Sequence, residues 1–309
     1  MKKIKYFLFT TLLISSFNSL FAKISIPILW TGVSLYYPNN ISAQDVFYFL
    51  DRGNQNFNNG LFIHAINTYK EVLALENKGK NAETAYYQIA FSYLEINDYI
   101  NALNNSNELI KLNSYYPNAF FLRGAIYEKL KQYQNAVDDF TMALKRIPSD
   151  DPFKAKIYYA LGNSKDELRD YEGAKNNYTL ALKIIPSDDP FKAKIYGVLG
   201  ISKKKLRDYE GAKNDFTKAI NIDPTWEKLY KERAMVKGLL REMESGILDL
   251  NKAIDLKEDF ASAYYIRAMF YRMLKKYKKA CDDYQQANYF GDKRGLKEFN
   301  EMYCFDFVD

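Results

Sequence analysis

A tandem duplication at the centre of the chain constrains its fold more than any other feature. Residues 148–185 read PSDDPFKAKIYYALGNSKDELRDYEGAKNNYTLALKII, and residues 186–223 follow directly with PSDDPFKAKIYGVLGISKKKLRDYEGAKNDFTKAINID. The two copies are identical at 27 of 38 positions. An internal repeat of this length predicts a stacked array, because one unit cannot bury its apolar face alone and each unit covers the next.

Apolar residues inside each copy recur with a helical period on both sides of a short turn. In the first copy, Tyr158 and Leu161 precede a polar Arg-Asp pair. After this pair, the same spacing continues through Tyr171, Ala174 and Tyr178. Spacings of three and four residues place side chains on one face of a helix. Each copy is therefore predicted to be a helical hairpin, which ends at a proline that cannot continue the helical hydrogen-bond ladder.

The order of aromatic and small residues in the two copies resembles the tetratricopeptide repeat, a helix-turn-helix unit of about 34 residues. With Gly162 taken as the eighth position, a small residue recurs at the twentieth position of seven units. These residues are Ala65, Ala102, Ala136, Ala174, Ala212, Gly246 and Ala280. Their spacings of 37, 34, 38, 38, 34 and 34 residues predict seven repeats. The resemblance implies an all-α fold, a solenoid of about seven helix-turn-helix repeats.

This register divides the chain into four predicted regions. They are a signal peptide (residues 1–22), an N-terminal extension (23–43), the seven repeats (44–292) and a C-terminal capping helix (293–309). Each duplicated unit is longer than a standard repeat by about four residues, at its Ser-Asp-Asp-Pro segment. Because four residues make about one helical turn, the first helices of repeats four and five are expected to be a turn longer.

The first 22 residues have the pattern of a secretory signal peptide. Lys2, Lys3 and Lys5 precede an apolar run that ends at the small residue Ala22. The protein is therefore expected to be exported, to a periplasm or to the medium, and an uncleaved membrane anchor is the alternative. Loss of these lysines lowers the net charge from +6 to +3, so the charge gives little support for a nucleic-acid partner. Residues 23–43 match no repeat, and they either cap the first repeat or occupy the groove.

The sequence lacks the side-chain combinations of the common catalytic, metal and cofactor sites. His64 is the only histidine, and no Cys/His cluster, phosphate-binding loop or Gly-x-Ser-x-Gly turn occurs. The acidic pairs Asp138-Asp139 and Asp282-Asp283 are expected on helix surfaces that face solvent. We therefore expect that the protein is not an enzyme and binds no metal or cofactor. A carboxylate pair of the glycosidase type is the remaining catalytic alternative.

Two cysteines, Cys281 and Cys304, lie on the second helix of repeat seven and at the end of the predicted capping helix. An exported chain meets an oxidising environment, and the two elements are expected to touch. A disulfide that fastens the cap is therefore predicted. The alternative is a pair of small buried thiols that do not bond.

The resemblance to tetratricopeptide repeats also implies a binding surface. In that family the first helices line a concave groove that binds a segment of another protein, mainly through positions 2, 5, 9, 12 and 13 of each repeat. Transferred to this chain, these positions give the expected groove residues Tyr87, Phe91, Phe121, Tyr159, Asn163, Lys194, Lys228, Lys231, Tyr265, Met269 and Arg272. Packing against the neighbouring repeat is the alternative role of each.

The expected groove is aromatic in its first half and basic in its second half, where Lys204 and Lys205 add to the positive charge. A basic groove favours an acidic partner segment. No repeat combines Lys at position 5 with Asn at position 9, so a clamp for chaperone C-termini is not supported. We expect a non-catalytic scaffold for protein interactions. A self-associating structural or assembly component of the cell envelope is the alternative, which light scattering after size-exclusion chromatography would distinguish.

Overall fold

The structure is a computed structural model that describes residues 43–301 and residue 304. The predictions for residues 1–42, a signal peptide and most of an extension, lie outside the described residues. Within the described part, the chain forms fifteen helices and no strand. They are α1 (Ala43–Asn58), α2 (Phe62–Leu75), α3 (Gly79–Glu95), α4 (Tyr99–Leu112), α5 (Pro117–Lys129), α6 (Tyr133–Arg146), α7 (Lys154–Glu167), α8 (Tyr171–Ile184), α9 (Phe191–Lys205), α10 (Tyr209–Ile222), α11 (Glu227–Leu239), α12 (Met243–Leu256), α13 (Ala261–Met273), α14 (Tyr277–Tyr289) and α15 (Arg294–Glu301).

The first fourteen helices form seven hairpins, and α15 follows as a single helix. Each odd-numbered helix packs on the even-numbered helix after it, and each even-numbered helix packs on the next hairpin. We call the first helix of each hairpin its A helix and the second its B helix. Helix α15 packs on α14. The predicted all-α solenoid of helix-turn-helix repeats is confirmed.

The turn inside each hairpin has the same backbone geometry. In repeat four, Arg169 has a positive φ of 64°. Its N–H donates to the carbonyl of Asp166, and the next N–H, of Asp170, donates to the carbonyl of Lys165, both at 2.9 Å. These bonds close the end of the A helix, and the Asp170 carboxylate then accepts from the N–H of Gly173 to begin the B helix. Residues in the same left-handed conformation occur in the other hairpins at Gly60, Asn97, Lys131, Arg207, Arg241 and Lys275.

Close contacts between the A and B helices explain the small residues of the sequence pattern. A Cβ on Gly162 would lie 2.5 Å from the ring of Tyr178, so only glycine allows this ring to reach the A helix. Gly124 makes the same contact with Phe140, where the distance would be 2.6 Å. The alanines at the twentieth position, such as Ala174, are fully buried at the same seam. The helix axes approach closely because these positions are small.

Buried ion pairs connect the two helices of a repeat, and their arginines also bond to the preceding repeat; these pairs overturn one prediction. Arg123 binds both carboxylate oxygens of Asp139 at 2.7 Å and also donates to Asn107 of the preceding repeat at 2.8 Å. Asp139 and Asp283 were expected to face solvent, but they are only 4% and 5% exposed. That prediction is wrong because a guanidinium sixteen residues earlier satisfies each buried carboxylate. The same arrangement joins Arg233 to Asp249 and Thr217, and Arg267 to Asp283 and Asn251.

The extra residues of repeats four and five form turns and do not add a helical turn. Helices α7 and α9 have 14 and 15 residues, against 13 in α5, α11 and α13. The carboxylates of Asp151 and Asp189 accept from the N–H groups of Phe153 and Phe191 at 2.8 Å, which holds the segment in a turn. The expectation of longer first helices is therefore wrong, because the aspartate carboxylate holds these residues in a turn just before each helix.

Candidate partner-binding groove

The expected groove residues all lie on A helices of repeats two to seven. Helix α3 carries Tyr87 and Phe91, α5 carries Phe121, α7 carries Tyr159 and Asn163, α9 carries Lys194, α11 carries Lys228 and Lys231, and α13 carries Tyr265, Met269 and Arg272. We call the surface formed by positions 2, 5, 9, 12 and 13 of these helices the A-helix face. Most of the eleven side chains are partly buried, whereas Lys228, Met269 and Arg272 are exposed.

The aromatic residues at position 5 each touch the beginning of the next A helix. The ring of Phe121 lies 4.9 Å from that of Phe153, and the ring of Tyr159 lies 5.0 Å from that of Phe191, both edge to face. Tyr87 lies 6.2 Å from Tyr116 in the corresponding place. Aromatic pairs of this geometry add about 0.5–1.5 kcal/mol to the burial of the rings. These residues therefore join neighbouring repeats as well as line the A-helix face.

Burial also changes the acidity of these phenols. It raises the pKa of Tyr159 to about 12 and raises that of Tyr87 further, because the charged phenolate loses its hydration. Both hydroxyls are therefore neutral across the physiological pH range.

Repeats five and six make the corresponding contact with a glycine and a lysine at position 5. Gly197 stands where a ring would otherwise be, and a Cβ there would lie 3.7 Å from the indole of Trp226 and 3.1 Å from Leu229. In repeat six, the Lys231 ammonium lies 5.7 Å from the ring centre of Phe260. The residue that begins the next A helix is thus aromatic at each of these contacts.

Asn163 has a structural partner that the sequence did not reveal. Its side-chain oxygen accepts a hydrogen bond of 2.8 Å from the hydroxyl of Tyr178, the ring that packs on the A helix. Repeat one has the same bond, of 2.7 Å, between Tyr69 and Asn54. The signal that could have identified it is an asparagine fifteen residues before a buried tyrosine. Asn163 therefore stabilises the contact between the A and B helices of its repeat, independently of any partner binding.

Much of the positive charge expected in the second half is neutralised within the protein. Lys204 pairs with Glu232 at 2.5 Å, and Lys205 pairs with Asp166 at 2.6 Å. The ammonium of Lys231 lies 3.1 Å from the carboxylate of Glu232, the next residue along the helix. Lys204 and Lys205 join adjacent A helices, whereas Lys231 pairs within its own helix, so the basic character of this half falls mainly to position 2 of the repeats.

Lys194 at position 2 has aromatic contacts. Its ammonium lies 5.2 Å from the ring centre of Tyr159 and 6.0 Å from that of Phe191. Burial lowers the pKa of Lys194 from its ordinary value, because the charged form is partly desolvated. The equivalent Lys156 also has a pKa lowered by burial, which the nearby carboxylate of Asp189 opposes. Lys228 in repeat six is exposed.

A carboxyl group on the A-helix face is strongly perturbed. Burial, together with the neighbouring charge of Glu167, raises the pKa of Glu128 to about 7. The hydroxyl of Ser164, in the next repeat, donates a hydrogen bond of 2.7 Å to this carboxyl group, and this bond and Lys129 favour the charged form. The sequence alone gives no sign of this shift, because the residues that bury Glu128 come from the neighbouring repeat.

The predicted disulfide is present, and it fastens the capping helix to repeat seven. Cys281 and Cys304 are bonded, with Sγ atoms 1.98 Å apart, and both are buried. The capping helix reaches two expected groove residues. The guanidinium of Arg294 lies 4.2 Å from the ring centre of Tyr265, and Glu298 forms an ion pair with Arg272.

No group of three or more His, Cys, Asp or Glu side chains in residues 43–301 and 304 is arranged to hold a metal ion. Among the helices of this part of the chain, none is both long and apolar enough to cross a membrane.

Three stretches of the chain match models of the tetratricopeptide repeat. They are residues 117–150, 155–188 and 193–225. Each match begins at the first position of a repeat in the register set by Gly162. No curated protein matches the chain.

Several solved structures have the same fold at low sequence identity. The C-terminal part of a tetratricopeptide repeat protein from Cytophaga hutchinsonii is 18% identical and has a TM-score of 0.63, with 80% of this chain and 98% of that one covered. A tetratricopeptide repeat protein from Parabacteroides merdae is 17% identical with a TM-score of 0.60, covering 84% and 99%. YrrB, described as a tetratricopeptide repeat protein with an unusual peptide-binding site, is 18% identical with a TM-score of 0.53, covering 63% and 95%.

The fold and the repeat geometry place the protein in the class of α-solenoids, in which helical hairpins stack on one another. The repeat matches identify the family, whereas the solved structures show only the shared fold. The chain belongs to the tetratricopeptide repeat proteins, as a member with several repeats. Proteins of this family generally act as non-catalytic scaffolds that bind peptides or other proteins.

Proposed function

We propose that the protein is a non-catalytic scaffold that binds an extended segment of a partner protein along its A-helix face. One observation carries the proposal. Side chains from six successive A helices form a row of aromatic rings and lysines that intramolecular contacts hold in place. The Tyr159 ring, between Phe191 and the Lys194 ammonium, is an example. Rings fixed before binding lose little conformational entropy when a partner arrives, which favours affinity.

One comparison supports this proposal. YrrB, which shares the solenoid fold, is described as having a peptide-binding site.

We also propose that the protein is exported. The basic and apolar segment at residues 1–22 supports export, and so does the disulfide between Cys281 and Cys304, because such bonds persist in oxidising compartments. Mass spectrometry of the protein from its own cells tests this. A mature N-terminus near Lys23 is the expected result, and an intact N-terminus in a cytoplasmic fraction would contradict export.

Site-specific photocrosslinking tests the binding surface. Benzoylphenylalanine is placed at Met269 on the A-helix face or at Leu248 on the B helix α12, both of which are exposed. We expect a partner protein to crosslink through position 269 and not through position 248. Crosslinking only through position 248 would contradict the proposal. Crosslinking to a second copy of the chain would favour the self-associating alternative.

A further inference from the structure

The turn between the two helices of repeat seven carries a dense group of lysines. Residues 272–279 read RMLKKYKK, and all of them except Leu274 are exposed. They cover the end of α13, the left-handed turn and the beginning of α14. No acidic residue occurs between Asp259 and Asp282. We call Lys275, Lys276, Lys278 and Lys279 the lysine cluster.

Repeats four to six have acidic residues at two of these positions. The residues that correspond to Lys276 are Asp170, Asp208 and Glu242, and those that correspond to Lys278 are Glu172, Glu210 and Glu244. Asp170 and Asp208 each accept a hydrogen bond of 2.9 Å from an N–H group in the first turn of their B helix, whereas no side chain caps α14. Lysines at the beginning of a helix also oppose its dipole. The lysine cluster therefore replaces residues that would favour the helix, and such departures are expected where a surface has a function.

Two lysines of the cluster have no carboxylate partner in the part of the chain that the structure describes. Lys275 and Lys276 are both exposed and form no ion pair there. The other two have contacts within the protein. The ammonium of Lys279 lies 5.7 Å from the ring centre of Tyr271, and Lys278 also has an interaction. The charge of Lys275 and Lys276 therefore faces solvent and attracts an external anion.

Exposed apolar side chains lie within the same eight residues. Met273 is 58% exposed and Tyr277 is 44% exposed. A tyrosine suits the boundary between lipid and water, where its ring contacts apolar groups while its hydroxyl stays hydrated. A lysine can lay its aliphatic stem along an apolar surface while its ammonium remains beside charged headgroups. This combination therefore fits a lipid surface better than it fits a purely polar anion.

The surface is also open. Because seven of eight consecutive residues are exposed, they form the outside of a turn and do not line a groove. Such a surface contacts a broad partner more fully than a single extended chain. We propose that the turn of repeat seven binds the surface of an anionic lipid membrane, with the lysine cluster at the headgroups and Met273 and Tyr277 at the boundary with the acyl chains. The lysine cluster lies outside the A-helix face, so this inference does not depend on the proposed function.

Co-sedimentation of the full chain with vesicles tests the proposal. The vesicles consist of phosphatidylcholine alone or of an equal mixture of phosphatidylcholine and the anionic phosphatidylglycerol. Lys275→Gln/Lys276→Gln removes two charges from the cluster, and Lys145→Gln/Lys252→Gln, which removes two exposed lysines of B helices, is the matched control. Each lysine near an anionic surface strengthens binding about fivefold, so we expect the first variant to bind the anionic vesicles about 25-fold more weakly than the wild type. The control variant should bind them as the wild type does.

The three proteins share residues 1–42, so binding through that segment does not distinguish them. Equal binding of the two variants to the anionic vesicles, or no binding of the wild-type chain at low salt, would overturn the proposal. Soluble polyglutamate is the second probe. If the wild-type chain binds polyglutamate through Lys275 and Lys276 while it does not bind the anionic vesicles, the partner is an acidic polypeptide and the lipid proposal is wrong. Thermal unfolding of both variants checks that they are folded.

Discussion

Replacing Glu128 with glutamine is expected to stabilise the protein at pH 8 and to change its stability little at pH 5. Glutamine has the same shape and can still accept the hydrogen bond from Ser164, which is 2.7 Å long. It removes the buried negative charge that exists at high pH. The substitution therefore isolates the free energy of ionising this carboxyl group inside the protein.

The size of the effect follows from the pKa. Burial raises the pKa of Glu128 from 4.5 to about 7 in the folded protein. One pKa unit corresponds to about 1.4 kcal/mol, so the full effect is about 3 kcal/mol. The folded state binds the proton more tightly than the unfolded state. The stability that this group contributes is therefore complete below about pH 4.5 and is lost as the pH rises through about 7.

Thermal unfolding of both proteins at pH 5 and pH 8, at one ionic strength, measures the difference. For a chain of this size, about 3 kcal/mol corresponds to a rise of roughly 6 °C in Tm at pH 8. A rise of equal size at both pH values, or no rise at pH 8, would refute the reasoning. Two further variants test the cause of the raised pKa of Glu128. Ser164→Ala removes a bond that favours the charged form and should raise the pKa of Glu128, whereas Glu167→Gln removes a like charge and should lower it.

Two more substitutions and the reduction of the disulfide test the packing. Arg169→Gly should stabilise the protein by about 0.5–1 kcal/mol, because glycine adopts the φ of 64° without strain; a lower Tm would contradict this geometry. Arg123→Met should cost about 3–5 kcal/mol by leaving Asp139 buried without its cation; urea denaturation should show most of the loss restored by adding Asp139→Leu. Reduction of Cys281–Cys304 should lower stability by about 3 kcal/mol; an unchanged Tm would count against a bond that holds the cap.

The fold could be predicted from the sequence because few kinds of contact determine it. A glycine lies under an aromatic ring in four of the seven repeats, at Gly53, Gly124, Gly162 and Gly200, and a small residue recurs between the two helix axes in all seven. Gly162 and Ala174 therefore mark both the helices and their register. The repeat period then fixes the neighbours of each helix. Nothing more is needed for an all-α solenoid.

The electrostatics of the A-helix face could not be predicted in the same way. Charge at Lys204 and Lys205 was visible in the sequence, but the carboxylates that neutralise them come from neighbouring repeats, Glu232 and Asp166. The buried Asp139 was missed for a related reason, since its partner Arg123 is sixteen residues away. Such pairings depend on which side chains face each other across a seam. Periodicity reveals that a helix has an inner face, but not which polar groups meet there.

The contacts of the duplicated repeats show how a change at one position constrains another. Tyr159 meets the ring of Phe191 at the next A helix. In the second copy, Gly197 leaves space that the larger Trp226 occupies. The second copy thus lacks the ring at position 5 and has a larger ring at the beginning of the next A helix. Position 5 is therefore coupled to the next repeat and cannot vary for binding alone.

Position 9 is coupled within the hairpin. Asn163 accepts a hydrogen bond from the hydroxyl of Tyr178, whereas the second copy has Ile201 beside Phe216, which has no hydroxyl to satisfy. The polar pair and the apolar pair are each complete, but a mixed pair would bury an unsatisfied hydroxyl, which costs about 1–3 kcal/mol. Loss of binding in a single substitution at Asn163 would therefore combine altered contacts with altered packing. Only comparison with a double change that also replaces Tyr178 with phenylalanine separates the two, because that pair restores the apolar seam while still removing the amide from the A-helix face.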